Sequence, residues 1–195
     1  DRDRFIMSKG HCCPALYAVL ADKGYFGKEE LATLRKLGSH LQGHPDMRKT
    51  PGVDANTGSL GQGIAIAMGM ALAAKHAKKD YRVFTLVGDG ECQEGLVWEA
   101  AMSAAHYKLD NFTVIMDHNR LQIDGDNDDV MSLGDIMGKF AAFGFDTYKV
   151  DGHDIDAVTA ALKAPFTPGR PKFVCCETVK GKGVSFMENK ASWHG

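Results

Sequence analysis

The sequence predicts an α/β fold: a doubly wound, mostly parallel sheet with helices on both faces. Two short apolar runs, 83–87 and 112–116, are each followed directly by polar or glycine residues, as expected for strands buried on both faces. The segment between them, from Glu94 to about Lys108, has the length of a crossover helix, which would make the two strands parallel. Helical and strand patterns also alternate along the rest of the chain, which is typical of this fold class.

The remaining elements are predicted from their patterns and from the residues that bound them. Pro14 suits the first turn of a helix that ends before Gly24, and Asp154 is a suitable N-cap for a later one. Residues 39–56 show little periodicity and are predicted to form a long loop, a feature that is often functional. Helices are predicted over 14–23, 28–37, 64–78, 132–143 and 155–164, and further strands over 147–150 and 172–178.

Composition narrows the class of protein. The chain has 195 residues, 44% of them hydrophobic and 25% charged, so we expect one domain over 1–195 with a sizeable core. A net charge of −2 without a long basic run argues against nucleic acid and membrane surfaces as partners. The five cysteines, two adjacent pairs and a single residue, make a poor disulfide framework and favour a reduced, cytoplasmic setting.

Oxygen-bearing side chains follow the two central strands. Asp89 lies within Gly88-Asp89-Gly90, and Asn119 comes 30 residues later, at the end of the next strand. In open α/β sheets, ligands bind in the crevice outside the carboxyl ends of the strands. A carboxylate and an amide oxygen suit Mg²⁺, or Ca²⁺ as a substitute, and ligand phosphates would complete the coordination. The alternative interpretation is that Gly-Asp-Gly only ends a strand, but the paired Asn makes this less attractive.

A glycine-rich turn, 57–63, leads into the predicted helix 64–78. Such a turn at a helix N-terminus is suited to binding phosphate. The glycines are explained equally well by close packing of the helix, and the local sequence leaves the two interpretations open.

The pairing of Gly-Asp-Gly with a downstream Asn resembles the thiamine diphosphate motif. Further matches make the chain similar to the cofactor-binding domain of transketolases, in particular to the N-terminal subunit of the split, two-chain type. The matching motifs are Ser8-Lys9-Gly10-His11, Gly43-His44-Pro45, the turn 57–63, the stretch 88–95, the stretch 117–125, Asp151-Gly152-His153-Asp154 and Trp193-His194-Gly195. Their shared order covers nearly the whole chain and is more specific than any single motif.

The resemblance implies a set of site residues. The metal would be held by Asp89, Asn119 and the backbone carbonyl of Leu121. Residues implied to act in catalysis are His11, His44, His194 and Glu94, the last as part of a carboxylate network that links paired sites across a dimer. Residues implied to bind thiamine diphosphate are His11, Gly58, Ser59, Leu60, Gly90, Asn119 and His194. Without the resemblance, these histidines would be taken as ordinary solvated side chains, and His40, His76, His106 and His118 are left as structural.

The resemblance also implies what is missing. The family's early active-site histidine and its pyrimidine-binding domain have no counterpart, so we expect a chain cut at both ends that needs a C-terminal partner subunit in a homo- or hetero-oligomer. The implied reaction transfers a two-carbon ketol unit from a ketose phosphate to an aldose phosphate. Open alternatives are 1-deoxyxylulose-5-phosphate synthase, a 2-oxo acid dehydrogenase, a transketolase specialised for sulfo- or branched sugars, a non-catalytic diphosphate-binding module and an unrelated phosphate-binding protein.

Flexibility is expected near the site. Segments 39–56 and 180–195 carry His44 and His194 but lack core periodicity. Because ordering a loop costs about 1–2 kcal/mol per residue in backbone entropy, we expect both segments to be mobile unless cofactor or partner is present.

Overall fold

The structure, a computed structural model, describes residues 2–194. Its strands are β1 (Arg4–Met7), β2 (Val83–Gly88), β3 (Phe112–His118), β4 (Leu121–Gln122), β5 (Gly125–Asp126), β6 (Asp146–Asp151) and β7 (Lys172–Glu177). Five of them form a central parallel sheet in the order β1-β2-β3-β7-β6, while β4 and β5 form a separate hairpin. The parallel sheet confirms the predicted α/β class.

Strand β1 was not predicted. It is only four residues long and follows a charged entry, so its pattern is too short to distinguish a strand from a loop. It pairs in parallel with β2, Arg4 opposite Val83 and Met7 opposite Leu86. This pairing places Ser8 and the residues after it at the same edge of the sheet as Asp89.

The helices agree with the predictions except in three places, and one of these is a short helix over Asn127–Met131 that was not predicted. The helices are α1 (Cys13–Asp22), α2 (Gln62–His76), α3 (Gly95–His106), α4 (Asn127–Met131), α5 (Ile136–Phe143) and α6 (Ile155–Lys163). The predicted helix 28–37 is wrong, because only Lys28–Thr33 is helical, as a 3₁₀ turn, and Arg35 has a positive φ of 60°. The predicted helix 132–143 starts at Ile136, because Gly134 has a φ of 56° and Asp135 caps the new helix by accepting from the Gly138 amide.

Alternate strand residues pack against helices on opposite faces of the sheet. Val114 and Phe173 join a core with α2, α3 and α5, whereas Val174 and Cys176 pack against α6. Helix α1 covers the same sheet elsewhere, packing Leu16 and Leu20 against Met7 of β1 and Leu86 of β2. This two-sided burial explains why the central strands are almost wholly apolar.

The loops at the carboxyl edge position the site. Strands β2 and β3 run in register, with Gly88 opposite Asp117, so the segments that follow them start side by side. The last part of the chain folds back on itself there, since the Asn189 amide donates to the Lys180 carbonyl at 2.8 Å. The expected mobility of 39–56 and 180–195 stays a prediction, and Gly195 lies outside the described residues.

Two further findings concern the cysteines and the lengths of the helices. All five cysteines are free thiols in the structure, as the sequence predicts. No helix within residues 2–194 is both long and apolar enough to cross a membrane.

Candidate active site

A cleft of about 220 Å³ opens at the carboxyl ends of β1, β2 and β3. Most of the predicted site residues line it, although they come from distant parts of the chain. Those that line it are His11, Leu60, Asp89, Gly90, Glu94, Asn119, Leu121 and His194.

Asp89 and Asn119 lie on neighbouring loops of this cleft and are 2% and 9% exposed. The Asp89 carboxylate accepts hydrogen bonds from the backbone amides of Gly90, at 2.7 Å, and Arg120. The Asn119 side-chain oxygen accepts from the Leu121 amide at 3.0 Å. Backbone donors therefore hold both side chains, and each oxygen keeps a further lone pair.

The donor set fits the predicted cation. Asp89, Asn119 and Leu121 line one cleft, and their carboxylate, amide and backbone carbonyl oxygens are hard donors that suit Mg²⁺ or Ca²⁺. Within residues 2–194, no lysine or arginine forms an ion pair with Asp89, so its buried carboxylate still lacks a cationic partner. The Gly90 amide, predicted to donate to a diphosphate, is engaged by Asp89 in the structure.

His11 and His194 lie close to each other, with ring centroids 5.4 Å apart. Partial desolvation of the ring, with the neighbouring charges of Lys9 and His194, lowers the pKa of His11 to about 4, although the residue as a whole is exposed. Burial, followed by the charge of Lys180, also lowers the pKa of His194. At pH 7 the His11 ring is therefore neutral and can accept a proton or a hydrogen bond.

Two lysines without a predicted role line the same cleft. Lys9 is 5% exposed and its ammonium lies 2.6 Å from the Asp117 carboxylate. Burial opposes its charge, but Asp117 raises the pKa of Lys9 overall. Lys180 lies 3.2 Å from Nδ1 of His194, and burial together with Lys9 lowers the pKa of Lys180. The signal for Lys9 was its place in a matching motif, whereas Lys180 had none.

Asp117 connects Lys9 to Asn119. It binds Lys9, accepts from the Thr178 hydroxyl, and accepts from the Asn119 side-chain nitrogen at 3.2 Å. Burial opposes its charge, yet Lys9 holds the pKa of Asp117 below its ordinary value. Asp117 thus orients the Asn119 amide so that its oxygen faces away from Asp117.

His44, Gly58 and Ser59 do not line this cleft. They border a shallower depression of about 430 Å³ beside it, where a Cβ on Gly58 would lie 3.1 Å from the His44 ring. The two surfaces are neighbours, because a Cβ on Gly10 would lie 2.8 Å from the Gly58 nitrogen.

The histidines predicted to be structural include two with clear partners. His118 lies 2.9 Å from Glu177, which also binds Arg120 and Lys149. His40 lies 2.8 Å from Glu30. His153, which has no predicted role, accepts from the Val179 amide at 2.8 Å and so helps hold the start of the last segment.

Comparison with known proteins decides the family. The model of the transketolase thiamine diphosphate-binding domain matches residues 1–195. The chain belongs to the transketolase family. It is 46% identical over 194 residues to an apulose-4-phosphate transketolase subunit from Phocaeicola vulgatus, covering 99% of this chain and 69% of that one. It is 45% identical over 195 residues to the 6-deoxy-6-sulfo-D-fructose transketolase subunit SqwG of a Clostridium species, covering 100% and 71%.

Longer transketolases match over a smaller share of their length. Human transketolase is 45% identical over 195 residues, which is 99% of this chain and 31% of the human protein. The crystal structure of the Campylobacter jejuni transketolase superposes with a TM-score of 0.92 at 36% identity, covering 97% of this chain and 31% of that one. The fold of this transketolase-family chain is therefore that of one part of the longer enzymes.

Proposed function

We propose that this chain is the thiamine diphosphate- and Mg²⁺-binding subunit of a two-chain transketolase. The observation that carries the proposal is the convergence, in one cleft, of two hard-oxygen side chains with Lys9 and Lys180. The complex transfers a two-carbon ketol unit from a ketose phosphate to an aldose phosphate. Two relatives named as transketolase subunits, similar over nearly the whole chain, support the two-chain arrangement.

Anchoring of the cofactor follows from the charges around the cleft. Asp89, Asn119 and the Leu121 carbonyl hold the cation, with Ca²⁺ as a possible substitute. Lys9 and Lys180 line the same cleft, where their ammonium groups would attract the diphosphate of a bound cofactor. Electrostatic attraction of this kind is strengthened where water is excluded.

The remaining proposed residues surround the cofactor. Leu60 and Gly90 line the cleft, and Gly58 and Ser59 border the depression beside it, from which they would contact a bound cofactor. The Gly90 amide donates to Asp89 in the structure, so it could donate to a phosphate only if the Asp89 carboxylate released it.

Bound thiamine diphosphate supplies the carbon nucleophile and electron sink for breaking the carbon–carbon bond. The chain's own histidines bind the sugar hydroxyls and move protons. His11 is suited to accept a proton because its pKa is lowered to about 4 by partial desolvation of its ring and nearby cations, which leaves it neutral at pH 7. His194 lines the cleft and His44 borders the depression beside it, where they would contact the sugar and the diphosphate of bound ligands.

A partner completes the site in this proposal. A C-terminal, pyrimidine-binding transketolase subunit provides the carboxylate that acts on the aminopyrimidine. Glu94 is exposed at the N-cap of α3, at the rim of the cleft, where it can join a carboxylate network across an oligomer interface. The chain alone is therefore expected to catalyse no ketol transfer.

The ketose donor defines a second version of the same function. Relatives named for apulose 4-phosphate and for 6-deoxy-6-sulfo-D-fructose favour a transketolase specialised for a branched or sulfonated sugar. Assays with such sugars beside ordinary sugar phosphates distinguish the two versions.

Calorimetric titration with thiamine diphosphate, with and without Mg²⁺, tests the proposal. We expect Mg²⁺-dependent binding that is lost in Asp89→Ala, with the fold retained by circular dichroism. Asp80→Ala, which removes an exposed carboxylate before β2, is the matched control and should bind as the wild type does. Equal cofactor affinity in the wild type and in Asp89→Ala would refute the metal site, and turnover by the chain alone would refute the need for a partner.

A further inference from the structure

Glu91 is a buried carboxylate that accepts hydrogen bonds from three separate segments. Its side chain is among the most buried polar groups, and the residue is 2% exposed. One oxygen accepts from the Ser8 hydroxyl and from the Gly61 amide at 2.9 Å, and the other accepts from the Gly88 amide at 3.0 Å. Among residues 2–194, no cationic side chain forms an ion pair with it.

Each of the three donors borders a loop of the site. Ser8 follows β1 and lies in the motif that ends at His11, Gly61 is the N-cap of α2 next to Leu60, and Gly88 ends β2. None of the proposed ligands touches all three loops, whereas the Glu91 carboxylate does. It is therefore the group that fixes their distances from one another.

The backbones of these loops approach closely. A Cβ on Gly63 would lie 2.6 Å from the Ser8 Cα, and a Cβ on Gly10 would lie 2.8 Å from the Gly58 nitrogen. There is no room for side chains between them, so side-chain packing contributes little to holding the loops together. Directional hydrogen bonds to one shared acceptor hold them instead.

We propose that Glu91 is a positioning residue, which holds the three loops in the arrangement that receives the cofactor diphosphate. This inference rests on the proposed function. A buried charge without a cation is tolerated only when hydrogen bonds satisfy it. An ionised carboxylate accepts and does not donate, so it draws all three donors toward a single point.

Glutamine cannot replace it. A carboxamide of the same size has one accepting oxygen and one donating nitrogen. If its oxygen faces Ser8 and Gly61, its nitrogen opposes the Gly88 amide, and if it is turned around, its nitrogen opposes the Gly61 amide. In either orientation two donors face each other and one loop is released.

The test combines hydrogen exchange with cofactor titration on the full 195-residue chain. Glu91→Gln should speed amide exchange in segment 57–63, in segment 86–90 or in both, and leave β3 protected as in the wild type. Its dissociation constant for thiamine diphosphate with Mg²⁺, expressed per folded protein, should rise at least tenfold. Glu29→Gln, at an exposed position away from the cleft, is the matched control and should change neither quantity.

The outcomes separate this inference from the function on which it rests. The positioning role is overturned if Glu91→Gln leaves exchange unchanged in both segments. It is also overturned if exchange becomes faster in β3 as well, while the affinity for thiamine diphosphate per folded protein is unchanged. A wild type that binds no thiamine diphosphate overturns the proposed function, while the exchange data still decide the role of Glu91.

Ser8→Ala covers the case in which Glu91→Gln does not fold. It removes one donor and keeps the carboxylate, so exchange should rise in segment 8–13 while segment 86–90 stays protected. Unchanged exchange in segment 8–13 of a folded Ser8→Ala overturns the inference.

Discussion

The buried pair of Lys9 and Asp117 provides the most direct physical test of the site. The Lys9 ammonium and the Asp117 carboxylate are 2.6 Å apart, and their side chains are 7% and 28% exposed. Replacing Lys9 by Met keeps the length of the side chain and removes the charge. Asp117 is then left without its cation, although the Thr178 hydroxyl and the Asn119 amide still donate to it.

The magnitude follows from the burial of the two partners. Removing one partner of a fully buried pair costs about 3–5 kcal/mol, because the other charge is left uncompensated. Asp117 is partly exposed and keeps two other donors, so we expect a loss of about 2–3 kcal/mol in the free energy of unfolding. For a chain of this length, that corresponds to a fall in Tm of about 5–10 °C.

Urea denaturation of Lys9→Met, without cofactor and Mg²⁺, measures this loss. Lys180→Met removes the other lysine of the cleft, which faces His194 rather than a carboxylate, and should cost less than about 1 kcal/mol. Comparison of the double variant Lys9→Met/Asp117→Asn with its two single variants should give a coupling energy of at least about 1 kcal/mol. A Lys9→Met loss no larger than that of Lys180→Met would refute the reasoning.

The pH dependence of the free energy of unfolding provides a second test of the Lys9–Asp117 pair. Burial opposes ionisation of Asp117, but Lys9 outweighs it and lowers the pKa of Asp117 in the folded chain. A carboxyl with a depressed folded pKa stabilises the protein above its unfolded pKa of about 3.9, and this stabilisation is lost as the pH falls further. The difference in stability between the wild type and Lys9→Met should therefore shrink below about pH 4.

Three further predictions concern single features. His11 should titrate near pH 4 in the ligand-free chain, as measured by NMR of its ring protons. Because its folded pKa is depressed, His11 lowers the stability of the protein as the pH falls below the unfolded pKa of about 6.5. A titration midpoint near 6.5 would contradict the desolvation of the ring. Gly61→Ala, at a φ of +78° with a Cβ 2.9 Å from another side chain, should destabilise by about 1–3 kcal/mol in urea, whereas Gly69→Ala, with open space at its Cβ, should stabilise by up to about 1 kcal/mol. Segment 180–194 should exchange its amide hydrogens faster than 83–87 until cofactor is added, and equal protection without ligand would contradict the expected mobility.

Much of the fold was predictable from local pattern. The runs before Asp89 and Asn119 are apolar except for one threonine each, and a helix-length segment separates them, so the sequence alone predicts parallel strands with both side chains at one edge. Elements with weak local signals were missed. Strand β1 has four residues. The predicted helix 28–37 fails after Thr33, where Leu34 is not helical and Arg35 has a positive φ, although no Gly or Pro occurs there to signal the break.

The sequence by itself determined the fold class, the two neighbouring strand ends and, through ordered motifs, the family. Only the tertiary structure decided which side chains meet. Lys9 and Asp117 are 108 positions apart, and Ser8 and Glu91 are 83 apart, so no local periodicity relates them. Their contacts arise because parallel strands bring their carboxyl ends to one edge, and burial there leaves each charge only the partners that the fold supplies.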